Sequence, residues 1–509
     1  MAIRQGSREQ IQMMPACIEE YVPEDAPVRV YDAFVDCLDL GELGIEYRPE
    51  KEGNPSYDPR AMLKLLIYGY SYGVRSSRLL EREANYNLSF IWLMGGLKPD
   101  FKTISEFRRN NKEGLRKALR ACVRLCLKLD LVAGNILFVD GSKIRANASI
   151  KNSWSIKKAE KAMARMDKKI DELISEAEAL DRDEEYQPSL VKVSEELRDV
   201  QARKERVKEV MEELQMDGAK SLNTVDRDCV VVHGRQGSHA GYNAQVVVDD
   251  KHGLIVSGEI AEMSNNDLGQ FSSQIQKANE AMDRKCSIGV ADSGYSDIDD
   301  LAKVVGDQVK VIVPSTRIAS KKEPREFDKR DFAYDGEKDC YTCPKGHTLI
   351  RNGRTHAGNG DRYRITDRKL CFECADYGKC TRARRGRTLE RLDNEVLRER
   401  LDKEYALSEN QAIYKRRQEK VELVFGHIKK NLGAGSFLLR GLAGVRAEIS
   451  LLSLCFNLRR MMTLLGATRL IKRLREKASF ENASSLLSHK PTTHILPFVP
   501  DSSIFESCG

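Results

Sequence analysis

The sequence lacks any apolar run long enough to cross a membrane. Its most apolar stretch, ISLLSLCF at residues 449–456, is ended by Asn457 and Arg459, whereas a spanning helix needs about 18 uninterrupted apolar residues. The first residues, MAIRQGSREQ, also lack the apolar stretch of a secretory signal. We therefore expect a folded cytoplasmic protein with no membrane partner, whose 13 cysteines are thiols or metal ligands rather than disulfides.

A large excess of one charge is absent too. The 84 Lys and Arg residues face 77 Asp and Glu residues, which gives a formal net charge of +7, so the charge balance alone identifies no partner. Arginine is nevertheless concentrated locally, at positions 382, 384, 385, 387, 391, 398 and 400. Such clustering is typical of proteins that bind the phosphate backbone of nucleic acids, although a solvated helix face is the alternative for any single run.

Residues 57–126 have the spacing of several short helices. Pro59 marks a helix start and Gly73 its end, with Leu63, Leu66, Ile67 and Tyr70 on one face. Arginines lie near the expected helix ends, at positions 75, 78, 82, 108 and 109. This pattern favours a helical DNA-binding domain at residues 1–130. A helical domain that only packs on the rest of the chain is the alternative, because no clear helix-turn-helix spacing is present.

Three acidic residues stand far apart, each where a carboxylate is a poor structural choice. Asp140 ends the apolar run ILFVD, Asp292 ends CSIGVAD, and Glu422 lies in the helical pattern RRQEKVELVFGHIKK. Aspartate is depleted in strands and is costly to bury without a partner. If the three acids meet in the folded protein, they form an oxygen-rich site that suits a divalent metal ion.

The elements around these acids predict an α+β or α/β fold. We expect a strand carrying Asp140 that returns through a hairpin at Gly141, and then an antiparallel meander over residues 229–260. A helix, the strand of Asp292, a short helix, a buried strand near residues 308–314 and a long helix bearing Glu422 follow. This order is that of an RNase H-like mixed sheet flanked by helices, which we assign to residues 131–460.

Two insertions interrupt this core. In residues 155–215, apolar side chains recur at steps of three and four, from Met163 through Leu180 and again from Val193 through Leu214. These are two heptad runs joined around Gln187 and Pro188, and they predict an antiparallel helical arm. The second insertion, residues 335–385, is rich in cysteine. Residues 461–509 are expected to form a C-terminal helix and a flexible Ser- and Pro-rich tail.

The cysteine-rich insertion has the spacing of a structural zinc site. Two Cys-x-x-Cys pairs, formed by Cys340 with Cys343 and by Cys371 with Cys374, are separated by 27 residues. Four such thiolates suit a tetrahedral Zn²⁺ ion in a zinc-ribbon-like module. Cys380 and His347 are further candidate ligands.

In this order the motifs resemble the DDE transposases of bacterial insertion sequences. PRAMLKLLIYGYSYGVRSSRLLE and FIWLMGGLKPDFKTISEFRR are similar to their N-terminal region, FVDGSKIRANAS to the first catalytic strand, and GYNAQVVVDDKHGLIV to the meander. ADSGYSD resembles the second acid motif, and KRRQEKVELVFGHIKKNLG resembles the helix that carries the third acid. The resemblance covers about residues 50–460.

The resemblance implies a role for each matching residue. Asp140, Asp292 and Glu422 would form an acidic triad that holds two Mg²⁺ (or Mn²⁺) ions, with Glu419 as a rival for the third place. DNA contacts are expected from Lys429, Arg417, Tyr414 and Arg416. Lys429 follows Glu422 by seven positions as in the family signature, whereas Arg417 precedes Glu422 by five positions instead of four.

The resemblance also implies a function and partners. The protein would cut double-stranded DNA at terminal inverted repeats and transfer the ends into target DNA, as a homodimer associated with the nucleoid. A catalytically silent DNA-binding protein derived from a transposase is one alternative. A general RNase H-like nuclease is the other.

Overall fold

The computed structural model describes residues 17–46, 56–181, 187–234, 237–262, 264–320, 326–356 and 358–476. The predicted C-terminal tail falls on residues 477–509, which lie outside the described residues. The same holds for the connection within the predicted arm at residues 182–186 and for the side chain of Leu180. No helix in the described ranges is long and apolar enough to cross a membrane.

The described N-terminal part is helical. Its helices are α1 (Val28–Asp36), α2 (Leu40–Leu43), α3 (Pro59–Ser71), α4 (Ser77–Tyr86), α5 (Leu88–Leu93), α6 (Phe101–Asn110) and α7 (Lys112–Lys128). Helix α3 begins at Pro59 as predicted, because the Asp58 side chain caps the backbone N–H of Arg60. Its apolar face is completely buried, which confirms the predicted stripe of Leu63, Leu66, Ile67 and Tyr70.

Strand β1 (Ile136–Arg145) opens the sheet and is followed by the arm. The short strands β2 (Ser153–Trp154) and β3 (Leu222–Asn223) pair at its base, and α8 (Ile156–Asp181) packs against α9 (Gln187–Asp217). Ion pairs join Lys169 to Glu196 and Lys204 to Asp167. From one pair to the next, the residue number decreases on α8 and increases on α9. The two helices are therefore antiparallel, as predicted.

The remaining core strands are β4 (Val230–Gly234), β5 (Gly237–Asp249), β6 (Ile255–Ile260), β7 (Ile288–Val290) and β8 (Lys310–Ile312). Between and after them lie α10 (Phe271–Met282), α11 (Ile298–Gly306) and α12 (Thr316–Ala319). Strand β1 pairs antiparallel with β5 and parallel with β7, and β7 pairs parallel with β8. Strands β4 and β6 pair antiparallel with the two halves of β5. The mixed sheet and its meander are therefore confirmed, while the RNase H-like assignment stays a prediction.

The predicted hairpin return at Gly141 is wrong. Strand β1 continues through Gly141 to Arg145 and stays paired with β5 over its whole length. Gly141 forms no turn, and its lack of a side chain leaves room for neighbouring side chains to approach the strand. A Cβ atom there would lie 2.3 Å from the Gln245 amide nitrogen and 2.6 Å from an Asp267 carboxylate oxygen.

The cysteine-rich segment forms a second sheet with its own small core. Its strands are β9 (Ala333–Asp335), β10 (Cys340–Thr342), β11 (Thr348–Arg354), β12 (Gly360–Ile365) and β13 (Thr388–Leu392), with α13 (Lys369–Phe372) between the last two. They pair antiparallel in the order β13-β12-β11-β10-β9. The buried side chains of this core are Phe332, Tyr341, Leu349, Tyr363, Ile365 and Leu389.

Three long helices complete the fold, namely α14 (Glu395–Tyr405), α15 (Ser408–Lys430) and α16 (Leu442–Leu465). Helix α16 packs against α3, α7 and β6. Its buried Asn457 bonds both the N–H and the C=O of Ile255, at 2.8 and 2.7 Å, and so satisfies backbone groups of β6. One continuous hydrophobic core therefore joins the helical part to the sheet.

Two of the arginines predicted to face DNA are interior residues. Arg75 is 6% exposed and pairs at 2.5 Å with Glu448, which is completely buried. Arg75 also donates to the carbonyls of Gly433 and Ser436 at 2.6 and 2.7 Å. Arg108 is buried as well and donates to the Tyr70 hydroxyl at 2.9 Å. Arg75 joins the N-terminal helices to α16 and the segment before it, and Arg108 joins α6 to α3. Arg82 and Arg109 remain exposed.

We predict that Arg75→Ala destabilises the fold by about 3–5 kcal/mol, because it leaves the Glu448 carboxylate buried without its counter-charge. Arg82→Ala is the matched control. The Arg82 side chain is 62% exposed, and an ion pair made by such a residue is worth about 0–1 kcal/mol. Urea unfolding of both variants checks this, and equal midpoints for the two variants would contradict the structural role of Arg75.

Candidate active site

Strand register brings Asp140 and Asp292 to the same place. Phe138 on β1 is the parallel partner of Val290 on β7, and each aspartate follows its paired residue by two positions. Since side chains alternate along a strand, a step of two keeps both carboxylates on one face. Asp292 also caps the turn that follows β7, where it accepts a hydrogen bond from the N–H of Gly294 at 2.8 Å.

Arg417 on α15 lies against both carboxylates. Its guanidinium is 3.5 Å from an oxygen of Asp140 and 3.9 Å from an oxygen of Asp292. The guanidinium also stands 5.6 Å from the ring centre of Tyr414, one turn earlier on the same helix. The Arg417 side chain is 14% exposed, so it supplies a largely desolvated counter-charge to the two acids.

Burial raises the pKa of the Asp140 carboxyl to about 6. The Arg417 charge lowers this pKa and the neighbouring Asp292 charge raises it, but desolvation is the largest cause. Ionised Asp140 therefore carries a cost in the metal-free protein. A second positive charge at this point would reduce that cost.

Other predicted site residues have protein partners. Lys429 donates to the Ser142 hydroxyl at 2.6 Å and to the Lys143 carbonyl at 3.2 Å, beside Asp140 on β1. Burial lowers the pKa of Lys429, while the Asp140 charge raises it. Arg416 faces away from the aspartates and pairs with Asp250 at 2.5 Å.

The third predicted acid does not join the two aspartates. Glu422 is exposed and accepts a hydrogen bond from Gln418 at 3.1 Å, and Glu419 is exposed as well. Across the described ranges, no three Asp, Glu, His or Cys side chains are grouped closely enough to hold a metal ion as they stand. The structure therefore assembles two members of the predicted triad and leaves the third at the surface of α15.

A further acid, Asp267, lies beside the site and was missed as a site residue. Its carboxylate accepts hydrogen bonds from the side-chain amides of Asn243 and Gln245, each at 2.8 Å, and pairs with Lys143 at 3.2 Å. Its charge contributes to the raised pKa of Asp140. In the sequence, Asp267 precedes a helical pattern as any capping aspartate does. The one indirect signal is Gly141, whose lack of a side chain lets this cluster approach β1.

The basic segment at residues 382–400 is only partly available to a ligand. Arg387, Arg391 and Arg398 are half-buried and bond to protein carbonyls or a tyrosine hydroxyl. Arg384 and Arg385 are exposed. The predicted phosphate-binding cluster is therefore smaller than its arginine count suggests.

The cysteines also group differently from the prediction. Cys343, Cys371, Cys374 and Cys380 line one cavity. Cys340 is not among the residues that line it and lies buried within strand β10.

Comparison with protein families gives two matches. A family model described as a transposase domain (DUF772) matches residues 16–110, and one described as a transposase DDE domain matches residues 342–462. Two segments of the chain thus match transposase domains. Together these matches support a DDE transposase of the insertion-sequence type. Glu422 lies inside a matched segment, whereas Asp140 and Asp292 lie between the two. No characterised protein and no solved structure gives a significant match.

We predict that Asp140→Asn stabilises the metal-free protein more at pH 8 than at pH 4. The pKa of Asp140 in the folded state, about 6, lies above its ordinary value of 3.8. The folded state therefore binds the proton more tightly, and its stability falls as the pH rises through about 6. The asparagine variant escapes this loss, which amounts to as much as about 3 kcal/mol.

Denaturant unfolding in EDTA at both pH values measures the difference between wild type and variant. Asp299→Asn, at an exposed position of α11, is the control and is expected to show no such gap. A pH-independent difference for Asp140→Asn would contradict the burial of a costly charge.

Proposed function

We propose that the protein cuts DNA at the terminal inverted repeats of its element and joins the ends to target DNA, in a reaction that depends on Mg²⁺ or Mn²⁺. The observation that carries this proposal is that Asp140 and Asp292 both lie beside Arg417, in a chain with two transposase domain matches. The partner would be double-stranded DNA, bound by a homodimer that holds two ends.

The strand order supports an RNase H-like core. Strands β6, β5 and β1 lie side by side and antiparallel, β7 and β8 continue the sheet parallel to β1, and β1 is central. This order puts the first acid on the central strand and the second at the end of its parallel neighbour. We take this sheet as the scaffold of the catalytic site.

Asp140 and Asp292 fit a hard divalent cation. Both offer carboxylate oxygens, the ligands that Mg²⁺ prefers, and one of them is buried enough to favour a compensating positive charge. When bound, the metal ions would polarise the phosphodiester and lower the pKa of the attacking hydroxyl. Arg417 compensates the charges of the two aspartates in this structure, and with a cation bound there it would be free to hold a DNA phosphate. Tyr414 keeps the guanidinium oriented toward the site.

Helix geometry favours Glu422 over Glu419 as the third acid. At 3.6 residues per turn, Glu422 and Lys429 lie about 20° apart around α15. Lys429 already contacts β1 beside Asp140, so Glu422 shares the edge of the helix that borders the site. Glu419 lies about 80° from Lys429 around the helix and so is further from this edge. A movement of α15 or of the Glu422 side chain toward Asp140 and Asp292 would complete the triad.

Lys429 and Arg417 are the residues we expect to bind DNA phosphates next to the cut. Both are partly buried near Asp140 and carry charges that would act strongly there. Arg416 is paired with Asp250 and would have to exchange this partner for a phosphate.

We predict that Asp140→Ala and Asp292→Ala each lower Mg²⁺-dependent cleavage of terminal-repeat DNA more than about 100-fold. Substitution of a residue that only orients a metal ligand typically lowers activity about 10–100-fold. Loss of the ligand itself should lower it more. Binding of the same DNA should persist, because the basic side chains remain. Cleavage and gel-shift assays on one labelled duplex measure both quantities.

Cleavage that survives both substitutions would exclude this active site, and a wild type that binds DNA without cutting would favour the catalytically silent alternative. Equal cleavage of unrelated DNA would favour a general nuclease.

The paired variants Glu422→Gln and Glu419→Gln identify the third acid. We expect the first to lose cleavage to the same degree as Asp140→Ala, because it removes one metal ligand, and the second to stay within about threefold of wild type. Both changes are isosteric and both sites are exposed, so stability should be unaffected. The reverse pattern would assign the role to Glu419.

A further inference from the structure

A small cavity in the cysteine-rich module collects four thiols. Cys343, Cys371, Cys374 and Cys380 line it, and its volume is ≈ 30 Å³. A space of about 10–15 Å³ already holds one water molecule, whereas pockets for organic ligands measure about 300–1,000 Å³. The cavity therefore suits a single ion and excludes a small-molecule substrate.

The backbone around two of these thiols has the form of metal-binding turns. The N–H of His347 points to the Cys343 sulfur at 3.3 Å, and the N–H of Arg387 points to the Cys371 sulfur at 3.5 Å. Such N–H groups stabilise a thiolate and fix its direction. The first turn is tight because Gly346 adopts φ +82° and the Cys343 N–H bonds the His347 carbonyl at 2.8 Å.

A second tight turn returns Cys380 to the cavity. Gly378 adopts φ +93°, its N–H bonds the Thr381 carbonyl at 3.0 Å, and the Cys380 N–H bonds the Asp376 carbonyl at 2.9 Å. An ion pair of 3.2 Å between Lys345 and Asp376 joins this turn to the first.

Cys340 is excluded from the group by strand alternation. It lies on β10, paired with Asp335 and Ile350, and the next residue, Tyr341, belongs to the module core against which Cys343, Cys371 and Cys380 pack. Neighbouring side chains on a strand point to opposite faces. Cys340 therefore faces away from the other thiols and acts as a buried small apolar residue.

The module also has little else to hold it together. Its core consists of six buried side chains, and folding units of this size commonly rely on a metal ion or disulfides for stability. A crosslink at the cavity would join the turn after β10 to the segment between β12 and β13.

We propose that Cys343, Cys371, Cys374 and Cys380 bind one structural Zn²⁺ ion. Four soft thiolates form a closed tetrahedral site without an open position for catalysis. Within the described residues, no such group already has the spacing of a bound metal, so binding would draw the thiols inward across the cavity as each releases its proton. The site is separate from the acidic residues on β1 and β7 and needs no DNA.

The test is the zinc content of the purified full-length protein, measured by elemental analysis with its folding followed by circular dichroism. We expect about one zinc per chain in the wild type, in line with a single closed four-ligand site. Cys374→Ser and Cys380→Ser should lower the zinc content more than about tenfold. Cys340→Ala, the matched control, should keep it. A wild type without zinc, retention of zinc by Cys380→Ser, or its loss in folded Cys340→Ala would each overturn the ligand assignment.

Thiol alkylation of the wild type gives an answer that does not depend on variants that fold. Mass spectrometry should show Cys343, Cys371, Cys374 and Cys380 protected together and released together by a chelator. Equal labelling with and without the chelator would overturn the proposal. Asp140→Ala should retain its zinc, so a failure of the zinc site and a failure of the DNA-cleaving site are separate results.

Discussion

The buried pair of Arg75 and Glu448 sets the frame on which the site depends. Arg75 lies in the loop between α3 and α4. Its side chain pairs with Glu448 on α16 and donates to the carbonyls of Gly433 and Ser436. The same segment pairs with the end of β1, where the Phe437 N–H bonds the Arg145 carbonyl at 2.8 Å. One desolvated ion pair thus connects the N-terminal helices, the end of α15 and the strand that carries Asp140. The cost of burying both charges is met by this set of hydrogen bonds.

Within this frame, two constraints build the acidic site. The parallel register of β1 and β7 puts Asp140 and Asp292 on one face, and the packing of α15 on β1 brings Arg417 between them. Neighbouring carboxylates repel each other and Asp140 is largely desolvated, so a positive charge beside them stabilises their ionised forms. In the metal-free chain that charge is Arg417. The cluster around Asp267 reaches the same strand only because position 141 is glycine.

Much of the fold followed from local pattern. The face of α3, the heptads of α8 and α9, and the meander of β4, β5 and β6 were predicted because burial repeats with the period of each element. The continuation of β1 past Gly141 was not predicted. Glycine is typical of turns, and the side chains that surround it in the fold are unknown from the sequence. Arg75 and Arg108 were assigned to a DNA surface for a similar reason. A sequence shows that a residue is charged, but its buried partner, Glu448 or Tyr70, lies elsewhere in the chain.

The sequence by itself determined which residues have the chemistry of a site: two aspartates that follow apolar strands, a helix with Glu422 and Lys429 on one edge, and cysteines at metal-ligand spacing. Only the tertiary structure decided which of them meet. Strand pairing selected Asp140 and Asp292, helix packing added Arg417 and left Glu422 exposed, and a turn at Gly378 brought in Cys380 where alternation excluded Cys340. The physical reason is the same in each case. Local spacing fixes the direction of a side chain relative to its own element, whereas contact between elements depends on register and packing set by residues far away in the chain.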